Sequence, residues 1–283
     1  MSESFRSADG LTLQYHRIGG GPVLVCHPGG PGFSSRYFGG DLGGLDELFT
    51  LVLLDPRGTA ESERPADPEA YSTEDYAADV EALRVALGEE QLNLLGHSHG
   101  GVVAAAYAAE HPTRVRRLVL ANSLARLHPE EMERLKATHA DEPWYEDSQQ
   151  ALEQELAGEF ETPEELRDLA IREFAFYFAR YDEGARAFIE DHVAAELPNT
   201  DALKWFNELL EAGEFDLRPL LPRIQAPTLV LTGEADFVCG PACAADFADG
   251  IPGAEKLIVA DCGHFTYYEQ PERWREALER FVR

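Results

Sequence analysis

The sequence predicts an α/β fold, with a mainly parallel sheet flanked by helices and a helical segment inserted late in the chain. Three observations predict it. Short apolar runs, Val23-Leu24-Val25-Cys26, residues 49–54, Leu118-Val119-Leu120-Ala121 and residues 228–231, have the length and composition of strands covered on both faces. Helical stretches at residues 73–87 and 102–110 stand between such runs, a spacing that implies right-handed crossovers and parallel strands. From about residue 124 to 218 the alternation stops. Acidic helical segments there carry aromatic stripes such as Phe174, Phe176, Tyr177, Phe178 and Tyr181, with no strand pattern.

In chain order, Leu11, Leu13 and Tyr15 alternate with Thr12, Gln14 and His16, which reads as a half-exposed antiparallel strand over residues 10–18. Gly19-Gly20-Gly21-Pro22 is a turn, and the apolar strand after it ends in His27-Pro28-Gly29-Gly30-Pro31-Gly32. The second apolar run ends at Asp55-Pro56-Arg57-Gly58, before a polar loop and the helix over 73–87. A third runs through Leu92-Asn93-Leu94-Leu95 into Gly96-His97-Ser98-His99-Gly100-Gly101. A serine stands clear of a sheet edge only where the backbone turns sharply from strand to helix. Glycines two residues to either side remove the side chains that would collide there. The alanine-rich helix that follows points its N-terminus at Ser98. After the turn at His111-Pro112 comes the fourth apolar run. Beyond the helical segment the α/β pattern resumes, with a strand at 228–231, a loop at 232–241 and a helix to about 249. A strand at 256–260, a loop at 261–270 and a final helix to 283 complete it. The expected division is a core of residues 1–123 and 219–283 with a helical cap of residues 124–218.

Composition narrows the function. A chain of 283 residues that is 44% hydrophobic can fill one large core. No stretch approaches the length of a membrane helix, and residues 1–9 are too polar for a signal peptide. A cytoplasmic protein with no membrane partner is expected. Cys26, Cys239, Cys243 and Cys262 are scattered and lack paired spacing, so reduced thiols and no metal or other cofactor are expected; the zinc reading of Cys239 and Cys243 is the weaker one. A net charge of -28 excludes a nucleic-acid partner. Residues 129–218 hold 25 acidic against 8 basic side chains, more than half of that excess. Solvated helix faces with internal ion pairs explain it, and attraction of a cationic substrate is the functional alternative.

In doubly wound sheets ligands sit beyond the carboxyl ends of the strands, so the residues just after each run meet. They are the glycine-rich loop at 27–32, then Ser98, then Gly233-Glu234-Ala235-Asp236, then Cys262-Gly263-His264. Serine alone is a weak nucleophile. His264 is needed to take its proton, and Asp236 to hold the ring in the right tautomer and to stabilise the imidazolium. The oxyanion of an attacked carbonyl needs two fixed N–H donors. His99, next after the nucleophile, supplies one and Gly30 the other, with Gly29 as the alternative because Pro31 has no N–H. Nucleotide motifs are absent: there is no G-x-x-x-x-G-K-[ST], and the glycine loop lacks G-x-G-x-x-G spacing. His97 and His99 flank the serine without metal partners.

With these residues in view, the chain resembles the α/β-hydrolase family, and more narrowly the proline iminopeptidases. The narrower likeness rests on Gly29-Gly30-Pro31-Gly32, on Asp55-Pro56-Arg57-Gly58 followed by Ser62, and on Gly233-Glu234-Ala235-Asp236 with Gly263-His264-Phe265. It implies an eight-stranded, mainly parallel sheet, a helical cap, and a metal-free serine triad that releases an N-terminal residue from a short peptide. Cap carboxylates in that family bind the substrate's ammonium group. Three features depart from the pattern. Pro28 stands before the glycines with His27 one place early, the elbow looks as much like general esterases as like peptidases, and Phe237 follows Asp236 where some relatives have glutamate. Glu208 and Glu214, near the end of the cap, are the expected amine ligands. An esterase, a carbon-carbon bond hydrolase or an acyltransferase uses the same triad, and a ligand-binding receptor on this fold is the rival from another class. Whether the chain forms a homo-oligomer is left open.

Overall fold

The computed structural model describes residues 2–282. Its strands are β1 (Ser2–Arg6), β2 (Thr12–Gly19), β3 (Val23–His27), β4 (Thr50–Asp55), β5 (Leu92–His97), β6 (Val115–Ala121), β7 (Thr228–Gly233) and β8 (Glu255–Val259). They form one eight-stranded sheet in the order β1-β2-β4-β3-β5-β6-β7-β8. β2 is antiparallel to β1 and β4, and every other pairing is parallel. This is the α/β-hydrolase architecture expected from the sequence.

The helices are α1 (Thr73–Leu87), α2 (His99–Glu110), α3 (Pro129–Lys136), α4 (Tyr145–Leu156), α5 (Pro163–Glu173), α6 (Glu183–Phe188), α7 (Thr200–Glu211), α8 (Pro241–Gly250), α9 (Thr266–Glu269) and α10 (Pro271–Val282). The run from α3 to α7 lies between β6 and β7 and contains no strand. α1 begins on a reciprocal cap between Ser72 and Asp75 and stops at Gly88, whose φ of 73° suits a residue without Cβ.

Alternate residues of each central strand face opposite sides of the sheet. Val25, Val52, Leu94, Leu118 and Val230 pack with α1, α2 and α8. Leu24, Leu51, Leu95, Val119 and Leu229 pack on the other side with Trp274, Leu278 and Phe281 of α10. Burial on both faces is why these strands read as unbroken apolar runs. β1 was invisible to that pattern because only Phe5 of its residues is buried. Its polar side chains are held at the edge by pairing with β2 and by Glu3, which accepts from Tyr15 Oη at 2.8 Å and Arg17 Nε at 3.2 Å. The helical insertion docks on both sides of the core: Phe178, Phe188 and Val193 join one cluster, and Ala202 and Leu217 the other.

After β4, Arg57 is buried and donates to both carboxylate oxygens of Asp79 on α1, at 2.7 Å each. Burial pushes the Asp79 carboxyl up to about 6 despite that partner. All four cysteines are buried and unpaired. Among the described residues no helix is long and apolar enough to cross a membrane.

Candidate active site

The turn from β5 into α2 sets Ser98 at φ 55° and ψ -125°, a conformation costly for a residue with Cβ. The neighbours make it obligatory. A Cβ on Gly96 would lie 2.1 Å from the Gly100 carbonyl oxygen, and one on Gly100 would lie 2.2 Å from that of His27. The serine N–H donates to the Ala121 carbonyl at 3.0 Å, which ties the turn to β6.

Asp236 follows β7 and is fully buried. Its Oδ1 accepts from the N–H groups of Val238 and Cys239 at 3.2 and 3.0 Å. Oδ2 accepts from Asn122 Nδ2 and lies 2.9 Å from His264 Nδ1. Burial drives the carboxyl up, but His264 and these hydrogen bonds outweigh it and leave the group below its ordinary value. An ionised Asp236 fixes the proton on Nδ1 of His264, so Nε2 is left with a lone pair. The backbone of His264 is pinned too, since its N–H donates to the Tyr177 carbonyl at 2.7 Å. Glu269 of α9 accepts from the N–H of Gly263 at 2.8 Å and from that of Ala179 at 2.9 Å. The loop bearing His264 is thereby fastened to the insertion.

Ser98 and His264 line one cavity of about 120 Å³. No hydrogen bond joins Ser98 Oγ to the imidazole in this structure, a common state of such pairs before substrate closes them. The glycine-rich loop presses on the serine: a Cβ on Gly29 would lie 2.6 Å from Ser98 Cβ. Gly29 N–H is taken by Tyr37 Oη. Gly30, at φ 106°, and His99, first residue of α2, have N–H groups with no protein acceptor among the described residues. Gly30 also lines the cavity. The structure thus favours Gly30 over Gly29 as the loop's free donor.

The rest of the cavity is mainly apolar and aromatic, with Phe33, Phe174, Phe206, Val238 and Phe265; its polar members are Tyr37, Tyr177, His97, Asn207 and two carboxyl groups. Glu155 of α4 accepts from Asn207 Nδ2 at 2.9 Å, and Oε2 of Glu173 of α5 is buried with no hydrogen-bond partner among the described residues. Burial raises both carboxyls above their usual range, and the nearby Glu155 raises Glu173 further. Glu208 and Glu214 are exposed and do not line the cavity, which corrects the expectation that they bind an amine there. Asn207 takes the inward position on α7, and one helical step carries Glu208 to the outside. The signal for the two glutamates that line the cavity lay in periodicity. Glu155 follows Ser148, Ala151 and Leu152, and Glu173 follows Leu166, Leu169 and Ala170, each in the fourth place of a buried stripe. Of the cap aromatics, Phe174, Tyr177 and Phe206 face the cavity, whereas Trp144 and Tyr145 pack on Phe176 and Phe178 joins the core. Phe237 packs edge-on against Tyr177 with ring centres 5.0 Å apart.

Donor atoms of Asp236, Cys239 and His264 lie within 4.8 Å of one another. They make a poor metal set: burial and Asp236 hold the Cys239 thiol protonated, and the carboxylate is saturated with hydrogen bonds.

A family model described as alpha/beta hydrolase fold matches residues 22–271. A proline iminopeptidase of Lactobacillus helveticus is 30% identical over 289 residues, covering 95% of this chain and 93% of that protein. A 2-hydroxymuconate semialdehyde hydrolase of Pseudomonas putida is 28% identical over 276 residues, covering 97% and 92%. Among solved structures, a hydrolase from Pseudomonas aeruginosa superposes with a TM-score of 0.73 at 26% identity, covering 99% of this chain and 98% of that one.

Proposed function

The chain belongs to the α/β-hydrolase fold family, and we propose that within it this protein is a serine hydrolase working through an acyl-enzyme at Ser98. Its preferred reaction is release of an N-terminal residue from a short peptide. Ser98 Oγ attacks the carbonyl carbon as its proton passes to His264 Nε2, with Asp236 stabilising the imidazolium. The oxyanion is held by the N–H groups of Gly30 and His99. His264 then protonates the leaving amine, and water, deprotonated by the same imidazole, releases the acyl group.

One observation carries the choice of substrate: two buried carboxyl groups, Glu155 and Glu173, share a largely apolar cavity with Ser98, and one oxygen of Glu173 has no partner among the described residues. A buried, unsatisfied carboxylate is costly unless a cation completes it, and the ammonium of a peptide's first residue is such a cation. The 30% identity to a proline iminopeptidase supports the same reading.

The aromatic lining and the 28% identity to a 2-hydroxymuconate semialdehyde hydrolase support a second reading, an esterase or carbon-carbon hydrolase acting on a small uncharged acyl group. Aminoacyl-naphthylamides, the prolyl compound first, tested beside short acyl esters separate the two. The first reading expects naphthylamide turnover. Failure on all of them alongside brisk ester hydrolysis sinks the peptidase and leaves the esterase. A wild-type protein that resists fluorophosphonate labelling would instead favour a receptor.

A further inference from the structure

We infer that Tyr37 and His97 are positioning residues, forming a hydrogen-bond chain of one fixed direction that selects the oxyanion donor and holds His264. The inference rests on the reading of Ser98 as nucleophile.

The chain begins at the N–H of Gly29, which can only donate, so Tyr37 Oη accepts it. It ends at the carbonyl oxygen of His264, which can only accept. His97 Nε2, 2.9 Å from that oxygen, must therefore carry the imidazole hydrogen. Nδ1 of the same ring is then a lone pair. It lies 2.9 Å from Tyr37 Oη, whose one hydrogen points at it. The two ends leave no freedom in between: Gly29 N–H to Tyr37, Tyr37 O–H to His97, His97 N–H to His264.

Both side chains are buried. The His97 ring is stacked within 18° of Phe265 and sits 4.8 Å, centre to centre, from the ring of His264. Tyr37 is anchored in turn, its carbonyl accepting from Tyr267 Oη at 3.0 Å. The charged groups facing His97 are His264 and, beyond it, Asp236; burial first, then His264, holds His97 down to about 3. A protonated ring would have two donors and no acceptor for Tyr37, so the chain keeps its direction throughout the neutral range.

Two consequences for the reaction follow. Tyr37 consumes Gly29 N–H and leaves Gly30 as the loop's donor toward the attacked carbonyl. His97 grips the carbonyl of His264 while Tyr177 grips its N–H, so only the imidazole retains freedom to meet Ser98. These two side chains connect the loops after β3 and β8 through the last residue of β5, and each of the three segments leads into one part of the machinery.

The test compares wild type with Tyr37→Phe, His97→Gln and His97→Leu. The readouts are kcat and KM on the best naphthylamide or ester, inhibition by a boronic acid that becomes a tetrahedral anion at Ser98, and Tm. Removing the Tyr37 hydroxyl releases Gly29 and misplaces the hole, so kcat falls roughly 10- to 100-fold and boronate binding weakens in parallel, with KM within about twofold. Glutamine offers an acceptor and a donor at similar spacing, so His97→Gln retains roughly tenfold more activity than His97→Leu. Unchanged kcat in Tyr37→Phe overturns the inference. So does a loss spread equally over kcat and KM that follows a fall in Tm, and so does His97→Gln performing no better than His97→Leu. Wild type that fluorophosphonate does not label overturns the nucleophile reading and this inference with it; labelled wild type with indifferent variants overturns this inference alone.

Discussion

On the proposed function, Glu173 is the residue on which substrate choice turns. Burial raises both its carboxyl and that of Glu155, and Glu155 raises Glu173 further, so in the free protein a bound proton competes with a substrate ammonium. Raising the pH ionises the pair and removes the competing proton. KM for an aminoacyl substrate therefore falls as pH rises toward the pKa of the substrate's own ammonium, while KM for an uncharged ester stays flat. Parallel pH profiles of the two substrates check this. Glu173→Gln should lower kcat/KM for aminoacyl substrates by roughly 10- to 150-fold, the worth of a charged hydrogen bond, and leave esters within about twofold. Stability has its own sign. A carboxyl raised on folding keeps its proton above the unfolded value, so stability is lost as pH climbs from the unfolded pKa through the folded one. Glu173→Gln should therefore gain Tm relative to wild type as pH rises from 5 to 8. Ser98→Ala should abolish fluorophosphonate labelling and lower kcat by roughly 10⁴- to 10⁶-fold. Ser98, Asp236 and His264 were legible because each follows a strand and the chain order fits. Glu155 and Glu173 were not, since glutamate on an acidic helix reads as solvated until its place in a buried stripe is noticed.

The joints between elements decide whether those residues meet. Gly263 sits where a Cβ would lie 2.4 Å from the Tyr177 carbonyl oxygen and 2.8 Å from Ala179 N, both backbone atoms of the insertion. Gly263→Ala must push the insertion and the His264 loop apart, and a displacement near 1 Å costs about 10²-fold in rate. Far-UV circular dichroism should show the fold retained while kcat drops by that order. Gly253 is the control: its φ of 75° strains an alanine, but no atom lies within 4 Å, so Gly253→Ala should cost about 1 kcal/mol of stability and leave kcat unchanged. The parallel strands and α1 were readable from apolar runs and a capping serine. β1 was not, because an edge strand with one buried side chain carries no apolar pattern.

Across the whole molecule, 52 acidic against 24 basic side chains repel one another in the compact state. Raising salt from about 10 to 200 mM shortens the Debye length severalfold, and Tm should rise with it by several degrees in a thermal scan. Arg57 and Asp79 are a buried exception, shielded from that salt. Arg57→Leu leaves Asp79 unpaired, and urea unfolding should show a loss of about 3–5 kcal/mol. The layered core was predictable because alternation of strands and helices admits few arrangements. The seating of the insertion was not, since scattered aromatics such as Phe178 and Phe188, with no period linking them to the core, make its contacts.

The fastening of His264 to the insertion has a mechanical meaning. Three hydrogen bonds, from His264 N–H to the Tyr177 carbonyl and from the N–H groups of Gly263 and Ala179 to Glu269, join the roof of the chamber and the proton acceptor into one unit. Any displacement of the roof would therefore carry the His264 loop with it. On the proposed chemistry, a roof displaced in that way would leave Ser98 without its base.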